Sequence, residues 1–261
     1  MSGATGTVLD RILAETRETV ARRRAERPLS ELTPVEGAGG GRFRAALAEP
    51  GVAVIAEFKR RSPSAGSLRD APDLDAILGA YERGGAAAAS ILTEEPNFGG
   101  SLADLERARA VCDLPLLRKD FVIDPYQLHE ALAAGADAVL LIVAALGEEE
   151  LARLHEAALP LGLDVLVEVH DAAELERAAA IGAGIVGVNN RDLRDFSVDV
   201  ERTSRLMAGM PPGALVVSES GISSAAQLAA LEGQGVDAVL VGETLMRAPD
   251  PAAALLDLRS F

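Results

Sequence analysis

The sequence predicts an α/β protein, a (β/α)8 or TIM barrel with an N-terminal helical extension. Eight short runs of branched apolar residues each precede a longer segment with helical periodicity, and this pair is the repeating unit of such a barrel. The hexapeptide Gly-Ala-Asp-Ala-Val-Leu at residues 135–140 recurs as Gly-Val-Asp-Ala-Val-Leu at residues 235–240, which indicates a reused turn into a strand. Only 3% of the residues are aromatic, so Ala, Val, Leu and Ile must form the core.

The chain is expected to begin with a helix outside the barrel. One face of residues 8–24 carries Leu9, Ile12, Leu13, Thr16 and Val20. The arginines at 22–24 are expected to form a solvated face of this helix. A glycine-rich linker at 37–41 then leads to a short helix at 43–48. We therefore expect one domain over residues 1–261, with an extension at 1–48 and the barrel at 52–261.

The eight strands and their helices follow in order. Continuous apolar runs are typical of parallel strands that are buried on both faces, and they are expected at residues 52–58, 88–92, 114–118, 138–143, 164–169, 185–189, 215–218 and 238–241. Segments with apolar residues at three- and four-residue steps predict helices at 73–83, 101–111, 125–134, 148–159, 172–181, 200–207, 223–232 and 251–258. Glycines at 85, 135, 182 and 235 lie at the helix-to-strand junctions.

Net charge and composition exclude several classes of function. The formal net charge of −15 repels polyanions, so no nucleic-acid partner is expected. The longest apolar run, residues 138–146, is far shorter than the ~20 residues that span a bilayer, so no membrane partner is expected either. The single cysteine, Cys112, cannot form an intrachain disulfide, and the first ten residues lack a signal-peptide pattern. These features predict a cytoplasmic protein. The sequence leaves the oligomeric state open, with a monomer as the working expectation.

Common cofactor and metal motifs do not fit. Residues 182–187 match G-x-G-x-x-G, but they lead into a strand, whereas the dinucleotide fingerprint must follow one. The three histidines, His129, His155 and His170, lack the spacing of metal ligands. We therefore expect no metal and no cofactor.

Lysine usage points to the reactive centre. Only Lys59 and Lys119 are lysines among 25 basic residues, and both lie at the carboxyl ends of predicted strands, where barrel active sites are built. An ammonium can release its proton whereas a guanidinium effectively cannot, which favours a proton-transfer role. Two lysines that face one cavity are expected to lower the pKa of each other.

Three carboxylates are expected in the same layer. Glu57 is two residues before Lys59 on the first strand, so both side chains point to one side. Glu168 and Glu219 end the fifth and seventh strands. Because a buried charge without a partner is costly, these carboxylates must pair with the lysines or with a ligand.

The loops after the seventh and eighth strands suit a phosphate. Ser220-Gly221 and Gly242-Glu243 lie where barrels of this kind bind phosphate through backbone N–H groups. Asn189 and Arg191, after the sixth strand, add a hydrogen-bonding group and a cation.

The segment Glu57-Phe58-Lys59-Arg60-Arg61-Ser62-Pro63-Ser64 resembles the E-x-K-x-x-S-P-S signature of the indole-3-glycerol phosphate synthase family. The resemblance continues in order over essentially the whole chain. Its further motifs are Asn97-Phe98-Gly99-Gly100-Ser101, Leu117-Arg118-Lys119-Asp120-Phe121, Val167-Glu168-Val169, Gly187-Val188-Asn189-Asn190-Arg191-Asp192-Leu193 and Ser218-Glu219-Ser220-Gly221-Ile222. The sequence departs from some members at Asn190 and at Glu243-Thr244, which leaves open which side chain assists the backbone in holding phosphate.

The resemblance implies a reaction of tryptophan biosynthesis. In it, 1-(2-carboxyphenylamino)-1-deoxyribulose 5-phosphate closes a ring and loses carbon dioxide and water. The resemblance implies that Lys119 is the general acid on the ketone oxygen and that Lys59 pairs with the substrate carboxylate and supplies the proton for dehydration. It implies that Glu168 is the base and that Glu57 supports charge on the anilino nitrogen.

The resemblance also adds Asn189, Glu219 and Ser220 to the catalytic residues and implies further residues that bind substrate. Asn189 would bind a ribulose hydroxyl, Glu219 and Ser220 would complete the floor, and Phe98 and Phe121 would pack the aromatic ring. The other expected substrate-binding residues are Ser62, Arg191, Gly221, Gly242 and Glu243.

Two other functions remain at this stage. A barrel resembling phosphoribosylanthranilate isomerase would need a cysteine base and an aspartic acid at strand ends, but Cys112 precedes the third strand. A sugar-phosphate sensor without catalysis would explain the phosphate loops but not two lysines and three glutamates in one mouth.

Overall fold

Eight parallel strands close into a barrel in the computed structural model, which describes residues 7–63, 65–192 and 197–260. Each strand pairs with its successor in the chain, and the eighth pairs with the first. The strands are Ala53–Phe58, Ala88–Leu92, Leu116–Lys119, Ala138–Ile142, Asp164–Val169, Ile185–Asn189, Leu215–Glu219 and Ala238–Val241. Ser64 and Leu193, which belong to two motifs noted above, lie outside the described residues. The predicted fold class is confirmed.

Helices surround this barrel. Those after the eight strands are Leu74–Arg83, Leu102–Val111, Tyr126–Ala133, Glu148–Ala158, Ala172–Ala180, Arg202–Leu206, Ala225–Glu232 and Pro251–Leu258. A further short helix, Glu243–Arg247, starts directly after the eighth strand. In the described part of the chain no helix is both long enough and apolar enough to cross a membrane.

The two helices of the N-terminal extension pack against opposite ends of the barrel. Its first helix, Val8–Glu26, is capped by Thr7 and lies over the loops that follow the second and third strands, where its Glu15 carboxylate accepts a 2.9 Å hydrogen bond from the Asn97 amide. Its second helix, Arg42–Leu47, lies at the opposite end, where the Arg44 amide donates a 2.8 Å hydrogen bond to Asp164. Both helices contribute to the apolar cluster inside the barrel. This packing leaves the carboxyl ends of the strands as the mouth.

Two expectations about local structure were wrong. The third strand is Leu116–Lys119, not 114–118, because Pro115 lacks an amide proton and the pairing register begins at Leu116. Arg23 is not on a solvated face: its side chain is 12% exposed and its guanidinium lies 2.7 Å from Glu95 and 3.8 Å from Glu130. Its neighbours Arg22 and Arg24 are exposed as predicted.

The repeated hexapeptide has a structural reason. The side chain of Asp137 accepts a 2.7 Å hydrogen bond from the amide that starts the third strand, and Asp237 accepts a 2.7 Å bond from the amide of Val216 at the start of the seventh. Each aspartate therefore ties the start of its own strand to the start of the preceding one. Asp137 is fully buried and also receives hydrogen bonds from Arg42, Arg109 and the Gly39 amide.

We expect Asp137→Ala to destabilise the fold by about 3–5 kcal/mol, because it leaves the half-buried Arg109 guanidinium without its carboxylate and two amides without their acceptor. Asp237→Ala is the matched control, since it removes the equivalent bond without an arginine partner, and it should cost about 1–2 kcal/mol. Urea denaturation measures both values. Equal losses of unfolding free energy in the two variants would contradict the conclusion that the additional hydrogen bonds of Asp137 stabilise the fold.

Candidate active site

Four charged side chains form a layer at the mouth of the barrel. Glu57, Lys119, Glu168 and Glu219 come from the first, third, fifth and seventh strands. Side chains of alternate strands share a layer inside such barrels, and apolar residues usually fill it. A layer of one ammonium and three carboxylates therefore differs from the usual apolar layer, and it indicates a site for proton transfer or for binding a charged ligand.

Each lysine in the mouth is paired. The Lys119 ammonium lies 3.1 Å from Glu168 and 3.4 Å from Glu219. The Lys59 ammonium lies 2.5 Å from Glu57, and its side chain remains 18% exposed toward the mouth. The expectation that lysines and carboxylates pair is confirmed, and both ammonium groups face the same cavity.

The pKa of Lys119 departs from the expected direction. Burial alone would lower it, but the charges of Glu168, Glu219 and Glu57 outweigh burial and raise the pKa above its ordinary value. The expectation that the two lysines lower the pKa of each other is therefore wrong for Lys119, because the negative charges of three carboxylates from other strands dominate its electrostatic environment. Lys119 therefore holds its proton firmly at neutral pH.

The pKa values of the two carboxyl groups beside Lys119 shift in opposite directions. Burial would raise the pKa of Glu168, but Lys119, His170 and a hydrogen bond from Asn189 lower it, so this carboxyl is ionised at neutral pH. Burial raises the pKa of Glu219 to about 7 despite Lys119, and the charges of Glu168 and Glu57 add to the rise. In many enzymes such a difference between the pKa values of neighbouring carboxyl groups determines which one acts as acid and which as base.

The raised pKa of Glu219 predicts a pH-dependent stability. Glu219 binds a proton in the folded protein at pH values where it would lose that proton in the unfolded chain. Its contribution is therefore fully present below its ordinary value of 4.5 and is lost as the pH rises through about 7. We expect the free energy of unfolding of the wild type to fall relative to Glu219→Gln over this range, by about 3 kcal/mol in total. Urea titrations at several pH values test this, and parallel curves for the two proteins would contradict it.

A hydrogen-bonded group of polar side chains lies beside this layer. The side-chain oxygen of Asn189 accepts a 2.9 Å bond from the Ser220 hydroxyl and a 3.0 Å bond from the Arg191 amide. Ser220 has a φ of 66°, in the left-handed region that few residues with a side chain adopt. Asn190 holds this turn, since its amide donates to the Ser220 carbonyl at 3.1 Å. These contacts hold Asn189 and Ser220 in the lining of the mouth.

An aromatic wall closes the other side. The rings of Phe98 and Phe121 lie 6.4 Å apart at an angle of 41°. Glu94 holds the loop that carries Phe98, because its carboxylate accepts hydrogen bonds at 2.8 Å from the amides of Asn97 and Phe98. The cavity between this wall and the charged layer also contacts Ser62 and Arg191.

A second cavity, of about 310 Å3, adjoins the first over the loops after the seventh and eighth strands. The cations Lys59, Arg191 and Arg247 line it, together with Ser220, Gly221, Gly242 and Glu243. The Glu243 carboxylate lies 3.6 Å from Arg191 and 3.1 Å from Arg247. Glu57 also lines this cavity, so its walls combine glycine-rich backbone and three cations with two carboxylates. The cations and the backbone N–H groups are the parts of this lining that suit an anion.

The two glycines of this cavity are required for different reasons. A Cβ at Gly221 would approach Val198 to 2.7 Å, and its φ of 83° disfavours any side chain. A Cβ at Gly242 would instead strike the Glu57 carboxylate. A valine at position 242 would therefore displace Glu57 as well as obstruct the loop, so it is not a selective probe of phosphate binding.

The comparisons with known proteins agree with these motifs. A family model described as indole-3-glycerol phosphate synthase matches residues 9–258. The chain belongs to the indole-3-glycerol phosphate synthase family.

Curated relatives of this synthase family match over nearly the full chain. Indole-3-glycerol phosphate synthase 2 of Streptomyces coelicolor is 50% identical, over 96% of this chain and 98% of the relative. A synthase of Mycobacteroides abscessus is 48% identical, over 98% of this chain and 94% of the relative.

Solved structures with the same fold are more distant. Thiamine phosphate pyrophosphorylase from Pyrococcus furiosus matches with a TM-score of 0.58 at 20% identity, over 80% of this chain and 94% of that one. A mutant tryptophan synthase α-subunit from P. furiosus matches with a TM-score of 0.60 at 13% identity, over 80% and 98% of the two chains. At these identities the likeness shows the barrel fold alone.

Several residues of the candidate site were not predicted from the sequence. Glu94 and Asp120 line the main cavity, Arg247 lines the second, and His170 lies beside Glu168. The spacing could have found two of them: His170 is two residues after Glu168, and Arg247 is one helical turn after Glu243. Among the described residues, no group of three His, Cys, Asp or Glu side chains could hold a metal ion.

Proposed function

We propose that the charged layer of this synthase-family chain closes the ring of 1-(2-carboxyphenylamino)-1-deoxyribulose 5-phosphate to give indole-3-glycerol phosphate. The observation that carries the proposal is the Lys119 ammonium held between Glu168 and Glu219, with the Lys59–Glu57 pair in the same mouth. This arrangement supplies acids and a base on both sides of one cavity, and the reaction needs both.

Lys119 acts as the general acid in the first step. The ring carbon that bears the carboxylate attacks the ketone carbon, and the electron pair of the C=O bond moves to oxygen. The developing alkoxide is a far stronger base than an amine, so it takes a proton from Lys119 even though the pKa of this ammonium is raised. Carbon dioxide then leaves, and its bonding electrons restore the aromatic ring.

Lys59 and Glu57 serve the other end of the reacting unit. Lys59 is the more exposed of the two lysines, so its ammonium can pair with the substrate carboxylate. It then donates the proton with which the hydroxyl leaves as water. Glu57 lies against Lys59 and supports positive charge that develops on the anilino nitrogen.

Glu168 acts as the base in the last step. Its lowered pKa keeps it ionised, and it takes the proton from the carbon next to the nitrogen while water leaves. Asn189, whose oxygen already accepts the Ser220 hydroxyl, binds a ribulose hydroxyl through its amide. Glu219 and Ser220 complete the floor.

The rest of the substrate fits the two adjoining cavities. Phe98 and Phe121 pack against the aromatic ring, with Ser62 at the same rim. The phosphate lies in the second cavity, where Arg191 and the backbone of Gly221, Gly242 and Glu243 hold it. No step of this sequence requires a cofactor, since restored aromaticity drives decarboxylation. We further propose that the chain acts in the cytoplasm as a monomer, without a nucleic-acid or membrane partner.

One assay tests the proposed function. The purified chain is incubated with the carboxyphenylamino substrate without added metal, and indole fluorescence is followed; Lys119→Ala, prepared identically, controls for contaminating enzymes. We expect fluorescence to rise with the wild type only. Binding of substrate without turnover would favour the sensor. Turnover of phosphoribosylanthranilate instead would favour the isomerase, against which the buried Cys112 argues, since burial raises the pKa of its thiol to about 11.

A further inference from the structure

His170 connects the catalytic layer to a separate cavity. It follows the fifth strand directly, and because side chains alternate along a strand it lies on the same side as Glu168. Its Nε2 is 3.4 Å from Glu168 Oε1, and its Nδ1 is 3.1 Å from Glu174 Oε2. The His170 side chain is 11% exposed, so the imidazole is held between two carboxylates with little solvent around it.

The cavity on the far side of His170 opens to the surface. It has a volume of about 300 Å3 and is lined by His170, Asp171, Ala172, Asp192, Arg202, Arg205 and Leu206. Glu168 does not line this cavity, and His170 does not line the substrate cavity. The imidazole is therefore the group that contacts the base on one side and a solvent-accessible space on the other.

The proposed reaction requires a proton from solvent. Two protons are given to oxygen, one when the ketone becomes a hydroxyl and one when that hydroxyl leaves as water, but only one proton is taken from carbon. The missing proton balances the carboxylate that departs as neutral carbon dioxide. Each turnover must therefore take up one proton, and a substrate in the mouth would lie between Lys119 and solvent.

We propose that His170 is the proton relay between solvent and Glu168, a positioning residue that acts through this carboxylate. The imidazolium gives its Nε2 proton to Glu168 Oε1, and after rotation of this carboxyl group the proton passes to the Lys119 amine, which lies 3.1 Å from Oε2; the imidazole regains a proton from solvent in the cavity. The proton that Glu168 later takes from carbon leaves to solvent by the reverse path, and Lys59 regains its own proton from solvent at the mouth, so each turnover takes up one proton in total. The inference rests on the proposed role of Glu168 as base.

The charges around His170 suit a relay. Burial would lower the pKa of His170, but the hydrogen bond to Glu174 and the charges of Glu168, Glu174 and Glu219 raise it. Three further charged residues face the same cavity: Asp192 after the sixth strand, and Arg202 and Arg205 on the helix that follows. Asp192 and Arg202 lie 3.7 Å apart. Carboxylates thus flank both ring nitrogens and favour an imidazolium at neutral pH.

The test compares His170→Gln and His170→Ala with His155→Gln, which removes another buried imidazole from a helix outside the site. We expect both His170 variants to lose about 10-fold or more in kcat with KM within about 2-fold, and the control to keep both values. The acid limb of kcat should move to higher pH, because His170 lowers the pKa of Glu168. Free imidazole, which fits the vacated space, should restore kcat of the alanine variant in a concentration-dependent way.

Unchanged kcat and pH profile in His170→Gln would overturn the relay. A loss of kcat that imidazole does not restore, with a matching loss of thermal stability, would also overturn it and leave a structural role. Glu168→Gln separates this failure from failure of the proposed function. If Glu168→Gln abolishes turnover while His170→Gln retains it, Glu168 remains the base and only the relay is rejected.

Discussion

Replacing Lys119 should reduce kcat by about 10²–10⁴-fold whether the new residue is alanine or arginine. Arginine keeps a cation between Glu168 and Glu219, but its guanidinium cannot release a proton to the ketone oxygen. Alanine removes both charge and proton. Steady-state kinetics with the carboxyphenylamino substrate measure both variants, and thermal unfolding checks that each is folded.

Small amines distinguish proton donation from charge. Ethylamine added to Lys119→Ala should recover part of the lost kcat, because it places an ammonium near the two carboxylates, whereas it should have no effect on Lys119→Arg. Retention of most activity by the arginine variant would show that Lys119 supplies charge alone, and the general-acid role would then be wrong.

The sequence was sufficient for those features of the site that depend on local pattern. Strand periodicity placed Glu57 and Lys59 on one side of the first strand, and the near absence of lysine elsewhere drew attention to Lys119. Parallel strands carry their carboxyl ends to one edge, so both lysines had to meet there. These positions could be predicted without knowing any contact between residues that are distant in the sequence.

Features that depend on distant partners could not be predicted in this way. The raised pKa of Lys119 depends on carboxylates from three other strands. Arg23 is buried because Glu95 and Glu130, far away in sequence, surround its guanidinium. The buried Arg118 pairs with Asp120, two residues further on, but it reaches Glu130 only once the helix after the third strand has packed. In each case the sequence shows the charged residue itself, but the charges that surround it come from other segments and are brought together only by the fold.

Glu168→Gln should lower kcat by about 10²–10⁴-fold and leave KM within about 3-fold. The amide keeps the shape of the side chain and can still accept a hydrogen bond from Lys119 at 3.1 Å, so substrate binding should survive. It cannot take a proton from carbon, so the step that forms the indole double bond should stall.

Glu57→Gln is the matched comparison for this variant. Both carboxylates are buried, at 3% and 1% exposure, and each pairs with one of the two lysines. If Glu57 only supports charge on nitrogen, its amide variant should lose less kcat than Glu168→Gln, and only Glu168→Gln should lose the acid limb of the pH profile of kcat, because the group that titrates there is gone. A raised KM with unchanged kcat in Glu168→Gln would instead assign Glu168 to substrate binding and leave the base to another carboxylate, of which Glu219, with its pKa raised to about 7, is the nearest to Lys119.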